Sequence, residues 1–144
     1  MRTAPRAAML PAVGLRTLIV DDNVGFLCAA RELLERQGIL VVGVASTSDD
    51  AVERAYELQP DVLLVDIDLG AESGFDVVRR IAQATGLEHL HTVLISTYAE
   101  RDFSELIAAS PARGFISKSA LSASAIHDVL DGSAVARDAA AQRL

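Results

Sequence analysis

The sequence predicts an α/β protein: a doubly wound parallel sheet of five strands, each followed by a helix. Three observations point there. Five short, β-branched runs recur along the chain: Leu18–Val20, Ile39–Val44, Val62–Val65, Val93–Ile95 and Gly114–Ile116. They hardly alternate apolar with polar residues, as expected of parallel strands covered on both faces. The segments between them carry apolar residues at helical spacing. And 144 residues at 51% hydrophobic, with mean hydropathy +0.30, suit one domain with a real core and exclude a chain disordered overall. Right-handed crossovers then put helices on both sides of the sheet.

The elements follow in order. After the first strand, Phe26, Leu27, Ala30, Leu33 and Leu34 share a helix face, and Gly38 ends that helix. Thr47, Ser48, Asp49 and Asp50 open the second helix with a side chain available to cap it. It runs through Val52 and Ala55 to Leu58 and stops before Pro60. The third begins near Gly74 and turns Phe75, Val78, Ile81 and Ala82 inward. The fourth groups Phe103, Leu106 and Ile107 in the core and ends before Pro111. The fifth presents Leu121, Ala125, Ile126, Val129 and Leu130 on one face. Residues 1–14 read as a mobile arm, broken by Pro5, Pro11 and Gly14, residues 15–131 as the folded domain, and residues 132–144 as a short tail with no output domain.

Net charge is −7, a poor match for a nucleic-acid backbone, and no run of Lys or Arg overrides it. No apolar run approaches the length of a membrane span. The single cysteine, Cys28, cannot form an internal disulfide, which fits a reducing cytoplasm, and it reads as filler on a helix. His89, His91 and His127 are scattered and read as surface residues.

Chemistry gathers at the strand ends. In an open α/β sheet, sites form beyond the carboxyl ends of the strands. There the first strand delivers Asp21 and Asp22, the third Asp66, the fourth Ser96 and Thr97, and the fifth Lys118. A carboxylate directly after the apolar run "VLLV" would be costly without a cationic partner. Carboxylates brought together repel, and a divalent cation relieves that. Oxygen-only ligands favour Mg²⁺, which keeps positions open for phosphate oxygens. A carboxylate beside it is a nucleophile toward phosphorus, with a hydroxyl and an ammonium to hold the remaining oxygens. Lys118 is the only lysine of the chain, the other 12 basic residues being arginines, which suggests a need for a compact ammonium.

With these residues in place, the chain resembles the receiver domain of bacterial two-component response regulators, the CheY-like family, over about residues 15 to 131. The resemblance implies a flavodoxin-like sheet of strand order 2-1-3-4-5. It implies that Asp66 is the phosphoacceptor and that Asp21 and Asp22, in "LIVDDN", bind Mg²⁺ with Asp66 and the backbone carbonyl of Asp68. It makes Ser96, in "VLIST", the switch hydroxyl. Phe115, in "GFISK", is then the aromatic that moves with it, and Lys118 the contact to the phosphoryl oxygen. Gly74 matches the glycine that opens the third helix. Asp68 and Tyr98 flank the acceptor and the switch and are expected to tune the lifetime of the phosphoryl group. Two positions depart from the family. Gly70 stands where many receivers carry proline, which predicts a looser loop, and Ser119 stands where proline often follows the lysine, which predicts a trans peptide.

The function implied is a cytoplasmic receiver, not an enzyme with a separate substrate. It would take a phosphoryl group from a sensor histidine kinase and shift a surface formed by the fourth helix, fifth strand and fifth helix. A downstream protein target or a missing output domain would read that surface, and a homodimer would use the same face. The ending "GFISKSALSASAIHDVL" is similar to receivers that precede a LuxR-type DNA-binding domain. Two other readings compete: an adaptor on the same fold that is never phosphorylated, and a Mg²⁺-dependent phosphatase using "DIDLG" as an Asp-x-Asp motif. The phosphatase motif normally lies on a first strand, whereas Asp66 follows the third.

Overall fold

The computed structural model describes residues 14–132. Most of the expected arm and tail therefore lies outside the described residues. The main sheet has five strands: β1 Arg16–Val20, β2 Leu40–Ala45, β3 Val62–Asp66, β4 His91–Ser96 and β5 Gly114–Ser117. Its helices are α1 Val24–Arg36, α2 Ser48–Leu58, α3 Gly74–Gln83, α4 Ser104–Ala109 and α5 Ala123–Leu130. All pairings in this sheet are parallel, in the order β2-β1-β3-β4-β5. This is the flavodoxin-like order.

Four of the five helix starts are set by side chains. Asn23 Oδ1 accepts from the Phe26 N–H, Thr47 Oγ1 from Asp50, Ser73 Oγ from Phe75 and Ser122 Oγ from Ala125. Each satisfies a backbone donor that the helix leaves free. Gly38, at φ +91°, follows α1 in the left-handed region that glycine adopts without penalty.

Every residue of β3 is buried, as a central strand with both faces covered requires. Alternate residues feed two cores. Leu63 and Val65 join Leu18, Val20, Leu94 and Phe115 against α2 and α3. Val62 and Leu64 join Ile19, Val93, Ile95 and Ile116 against α1 and α5. The sheet is thus clamped between two apolar layers, and its carboxyl edge is the place left for polar groups.

Two expectations about helix faces, and one about the histidines, are corrected. In α3, Val77 is buried and Ala82 exposed, because the helix turns a broader face inward than the spacing of Phe75, Val78 and Ile81 implied. In α4, Ile107 is buried and Phe103 half-buried, but Leu106 is 57% exposed. That helix has only six residues, too few to bury a full stripe. The three histidines are half-buried rather than fully on the surface, and His91 Nδ1 lies 3.1 Å from the Arg113 guanidinium.

Candidate functional site

The site is built by strand ends that terminate at one edge. Strand β1 stops at Val20, and Asp21 follows it, completely buried, with its N–H donating to the Ala45 carbonyl. Asp21 Oδ1 accepts from the Asn23 N–H at 2.8 Å, so the turn into α1 also fixes this carboxylate. Asp22 is exposed beside it. Strand β3 ends at Asp66, 6% exposed, whose Oδ1 accepts from the Asp68 N–H at 3.1 Å. One carboxylate oxygen from each of Asp21, Asp22 and Asp66 lies within 4.8 Å of the others.

Lys118 meets them from the end of β5. Its Nζ lies 2.6 Å from Asp21 Oδ2 and 3.0 Å from Asp66 Oδ2. This is the cationic partner that the charge after "VLLV" requires. Burial pushes the Asp66 carboxyl above the usual carboxylate range, against the pull of the Asp68 N–H and the Lys118 ammonium, and Asp21 adds to the rise. Burial pulls the Lys118 ammonium down, but its hydrogen bonds to Asp21 and Asp66 outweigh this and leave it above the usual lysine range. Two buried carboxylates thus share one cation, which leaves the cluster with an excess of negative charge.

Strand β4 ends in Ser96, which is 1% exposed and accepts the Tyr98 N–H at 3.0 Å through its Oγ. Thr97 is exposed, so of the two hydroxyls only Ser96 is held inside. Phe115 is 1% exposed and packs in the same core as Phe75 and Ile107. The Phe103 ring bridges that layer to Tyr98, with ring centroids 6.4 Å from Phe75 and 6.1 Å from Tyr98. The Lys118–Ser119 peptide is trans.

The loop after Asp66 is tighter than its glycine suggested. Asp68–Leu69 and Glu72–Ser73 pair as a small antiparallel ribbon. Gly70 turns it at φ +75°, where a β-carbon would also sit 3.0 Å from Asp22 Oδ2. The Asp68 side chain is exposed and its Oδ1 accepts the Gly70 N–H. Glu72 Oε1 accepts the Ser48 N–H at 2.8 Å, tying the ribbon to the start of α2. Gly74 closes the loop: its N–H donates to the Ile67 carbonyl at 2.7 Å, and a β-carbon there would lie 2.1 Å from the Asp66 carbonyl oxygen. Only glycine lets α3 begin so close to the backbone of Asp66.

Sequence reasoning brought Asp21, Asp22, Asp66, Ser96 and Lys118 to this edge, and the structure places them there. It missed Phe26, whose ring centroid is 4.2 Å from Lys118 Nζ. The helical spacing assigned Phe26 to a core face, and a contact across such a distance in sequence leaves no local pattern.

The model of the response regulator receiver domain matches residues 17–131. The chain belongs to the response regulator receiver family. Response regulator UvrY of Escherichia coli K12 is 31% identical to this receiver over 122 residues, 82% of the chain and 55% of the relative. Protein-glutamate methylesterase/protein-glutamine glutaminase 5 of Myxococcus xanthus is 34% identical over 103 residues, 71% of the chain but 28% of the relative. A LuxR-family two-component response regulator from Aurantimonas sp. SI85-9A1 has a similar structure, with TM-score 0.73 at 25% identity, covering 83% of this chain and 86% of that one. The receiver thus spans about half the length of its UvrY relative. Among the described residues, no helix is long and apolar enough to cross a membrane.

Proposed function

We propose that this receiver accepts a phosphoryl group on Asp66 from the phosphohistidine of a sensor kinase, with Mg²⁺ bound beside it. The observation that carries the reading is the convergence of three carboxylate oxygens within 4.8 Å, with the Lys118 ammonium bonded to two of the carboxylates. The donor set suits a hard divalent ion: it is all oxygen, and Asp21 Oδ2 is a buried acceptor that makes no hydrogen bond apart from its ion pair with Lys118. Asp21, Asp22, Asp66 and the backbone carbonyl of Asp68 would hold the ion, which when bound neutralises charge on phosphoryl oxygens.

The chemistry of the chain's own residues follows. An Asp66 carboxylate oxygen attacks phosphorus, the phosphorus–nitrogen bond to the donor imidazole breaks, and its electrons leave with that imidazole. Lys118, already 3.0 Å from Asp66 Oδ2, pairs with the phosphoryl oxygens and holds charge that would otherwise repel the nucleophile. The Ser96 hydroxyl offers a further donor after turning from the Tyr98 N–H. Phe115 lies on the adjacent strand in the core that also holds Ile107 of α4, so rearrangement at Ser96 is transmitted toward the α4–β5–α5 surface. A kinase, and then a target protein or an attached output domain, would meet the receiver in the cytoplasm, and a homodimer would form on that surface. Hydrolysis of the aspartyl phosphate resets it.

A phosphohistidine-bearing histidine kinase mixed with wild type and Asp66→Asn tests this. Label must move to the wild type and not to the variant. Label on both proteins would place the acceptor elsewhere. Wild-type function retained by Asp66→Ala in cells would favour the adaptor reading.

A further inference from the structure

The ring of Phe26 lies against the Lys118 ammonium on the edge where the carboxylates gather. Phe26 lies in the first turn of α1, half-buried at the rim of the core shared by α1 and α5. Its place is fixed by a short relay. Asp21 Oδ1 accepts from the Asn23 N–H at 2.8 Å, and Asn23 Oδ1 accepts from the Phe26 N–H at 2.9 Å. The carboxylate that binds Lys118 therefore also sets where the ring stands. Lys118 Nζ then has Asp21 Oδ2 at 2.6 Å, Asp66 Oδ2 at 3.0 Å and the Phe26 centroid at 4.2 Å. The Lys118 side chain is only 12% exposed. A ring face within about 6 Å attracts an ammonium through its quadrupole, and more strongly where water is excluded.

We propose that Phe26 is a positioning residue for Lys118 in phosphoryl uptake. The proposal rests on the acceptor reading given above. When Asp66 becomes an acyl phosphate, Lys118 must turn from a carboxylate oxygen to phosphoryl oxygens. A lysine on a flexible stem has many other rotamers, most of them in water. The ring holds the ammonium over the pocket during that exchange and keeps solvent from the side it covers. A leucine of similar bulk fills the same space but has no ring quadrupole to attract the ammonium, so leucine and tyrosine at this position separate electrostatics from packing.

The test uses the single lysine of the chain. Lysine labelled with ¹³C gives one ε-methylene resonance, that of Lys118, with no assignment required. In wild type and Phe26→Tyr the ring current shifts that resonance from the position it takes in Phe26→Leu. Uptake from acetyl phosphate with Mg²⁺, followed by intact mass, is expected to slow about fivefold in Phe26→Leu and to recover in Phe26→Tyr. Thermal unfolding of each variant checks that the fold is kept. Equal rates in wild type and Phe26→Leu, or failure of tyrosine to restore a slowed rate in a folded protein, would overturn the proposal. So would an ε-methylene resonance that does not move in Phe26→Leu. Wild type that takes up no phosphoryl group would overturn the acceptor reading, and with it this role, and the wild-type rate alone tells that outcome from the others.

Discussion

Replacing Gly74 with alanine adds a single methyl group at the tightest backbone approach in the site. The new β-carbon would sit 2.1 Å from the Asp66 carbonyl oxygen, 2.8 Å from its carbonyl carbon and 2.9 Å from Ile67 Cα. All three are backbone atoms, so no rotamer change relieves them. Carbon atoms rest about 3.5–4.0 Å apart, so α3 and the end of β3 must separate by on the order of 1 Å. Overpacking of this kind costs about 1–3 kcal/mol. Lengthening the 2.7 Å bond from Gly74 N–H to the Ile67 carbonyl costs about 1 kcal/mol more. Alanine returns at most about 1 kcal/mol through helix propensity, and less at a first helical residue. The expected loss is therefore about 1–4 kcal/mol, read from urea unfolding midpoints at constant slope. Because the displaced backbone carries Asp66, phosphoryl uptake should fall as well. Gly25→Ala is the control, since its β-carbon would meet only the Asn23 side chain, at 3.3 Å. Gly74→Ala within about 0.5 kcal/mol of wild type, or no worse than Gly25→Ala, would refute the close-approach argument.

Three further outcomes follow from the charges. Asp66 has its carboxyl raised above its usual value of 3.8 by burial, so the folded protein binds its proton more tightly than the unfolded chain. Its ionised form then costs stability above pH 3.8, increasingly until the folded value is passed, so Asp66→Asn should unfold at higher urea than wild type at neutral pH without Mg²⁺. That difference should vanish in acid, and a variant less stable at neutral pH would contradict it. Lys118→Ala leaves Asp21 and Asp66 without their shared counter-charge and should cost about 3 kcal/mol in metal-free buffer, with added Mg²⁺ restoring part of it; a loss under about 1 kcal/mol would mean the pair is solvated. His91 is held below its usual value of 6.5 by burial and by Arg113, so its contribution is present above pH 6.5 and is lost as pH falls through the folded value. The wild-type minus His91→Gln stability difference should therefore shrink on acidification, and a difference independent of pH would show the ring is not protected.

The main sheet was legible because each strand carries a short apolar run with a polar residue at or just after its end. Asp21, Asp66 and Ser96 could be placed at one edge by that punctuation alone. The helices were legible as elements but less so as faces. Alanine gives a weak signal for burial, so Ala82 was assigned inward and Val77 overlooked. Leu106 lies on a helix too short for periodicity to decide its direction. The ribbon at Asp68–Leu69 and Glu72–Ser73 was hidden because two-residue strands have no pattern, and Gly70 read as looseness where it makes a tight turn. The Glu72 cap on Ser48 and the Phe26 ring over Lys118 join residues far apart in sequence, so only the packed sheet brings them together.

Intact mass of the protein after incubation with acetyl phosphate, with Mg²⁺ and with chelator, tests the central claim most directly. The account predicts one added phosphoryl group on wild type with Mg²⁺, little with chelator, and none on Asp66→Asn. An adduct of equal yield on Asp66→Asn, or none on folded wild type at any Mg²⁺ concentration even with a kinase supplied, would contradict it.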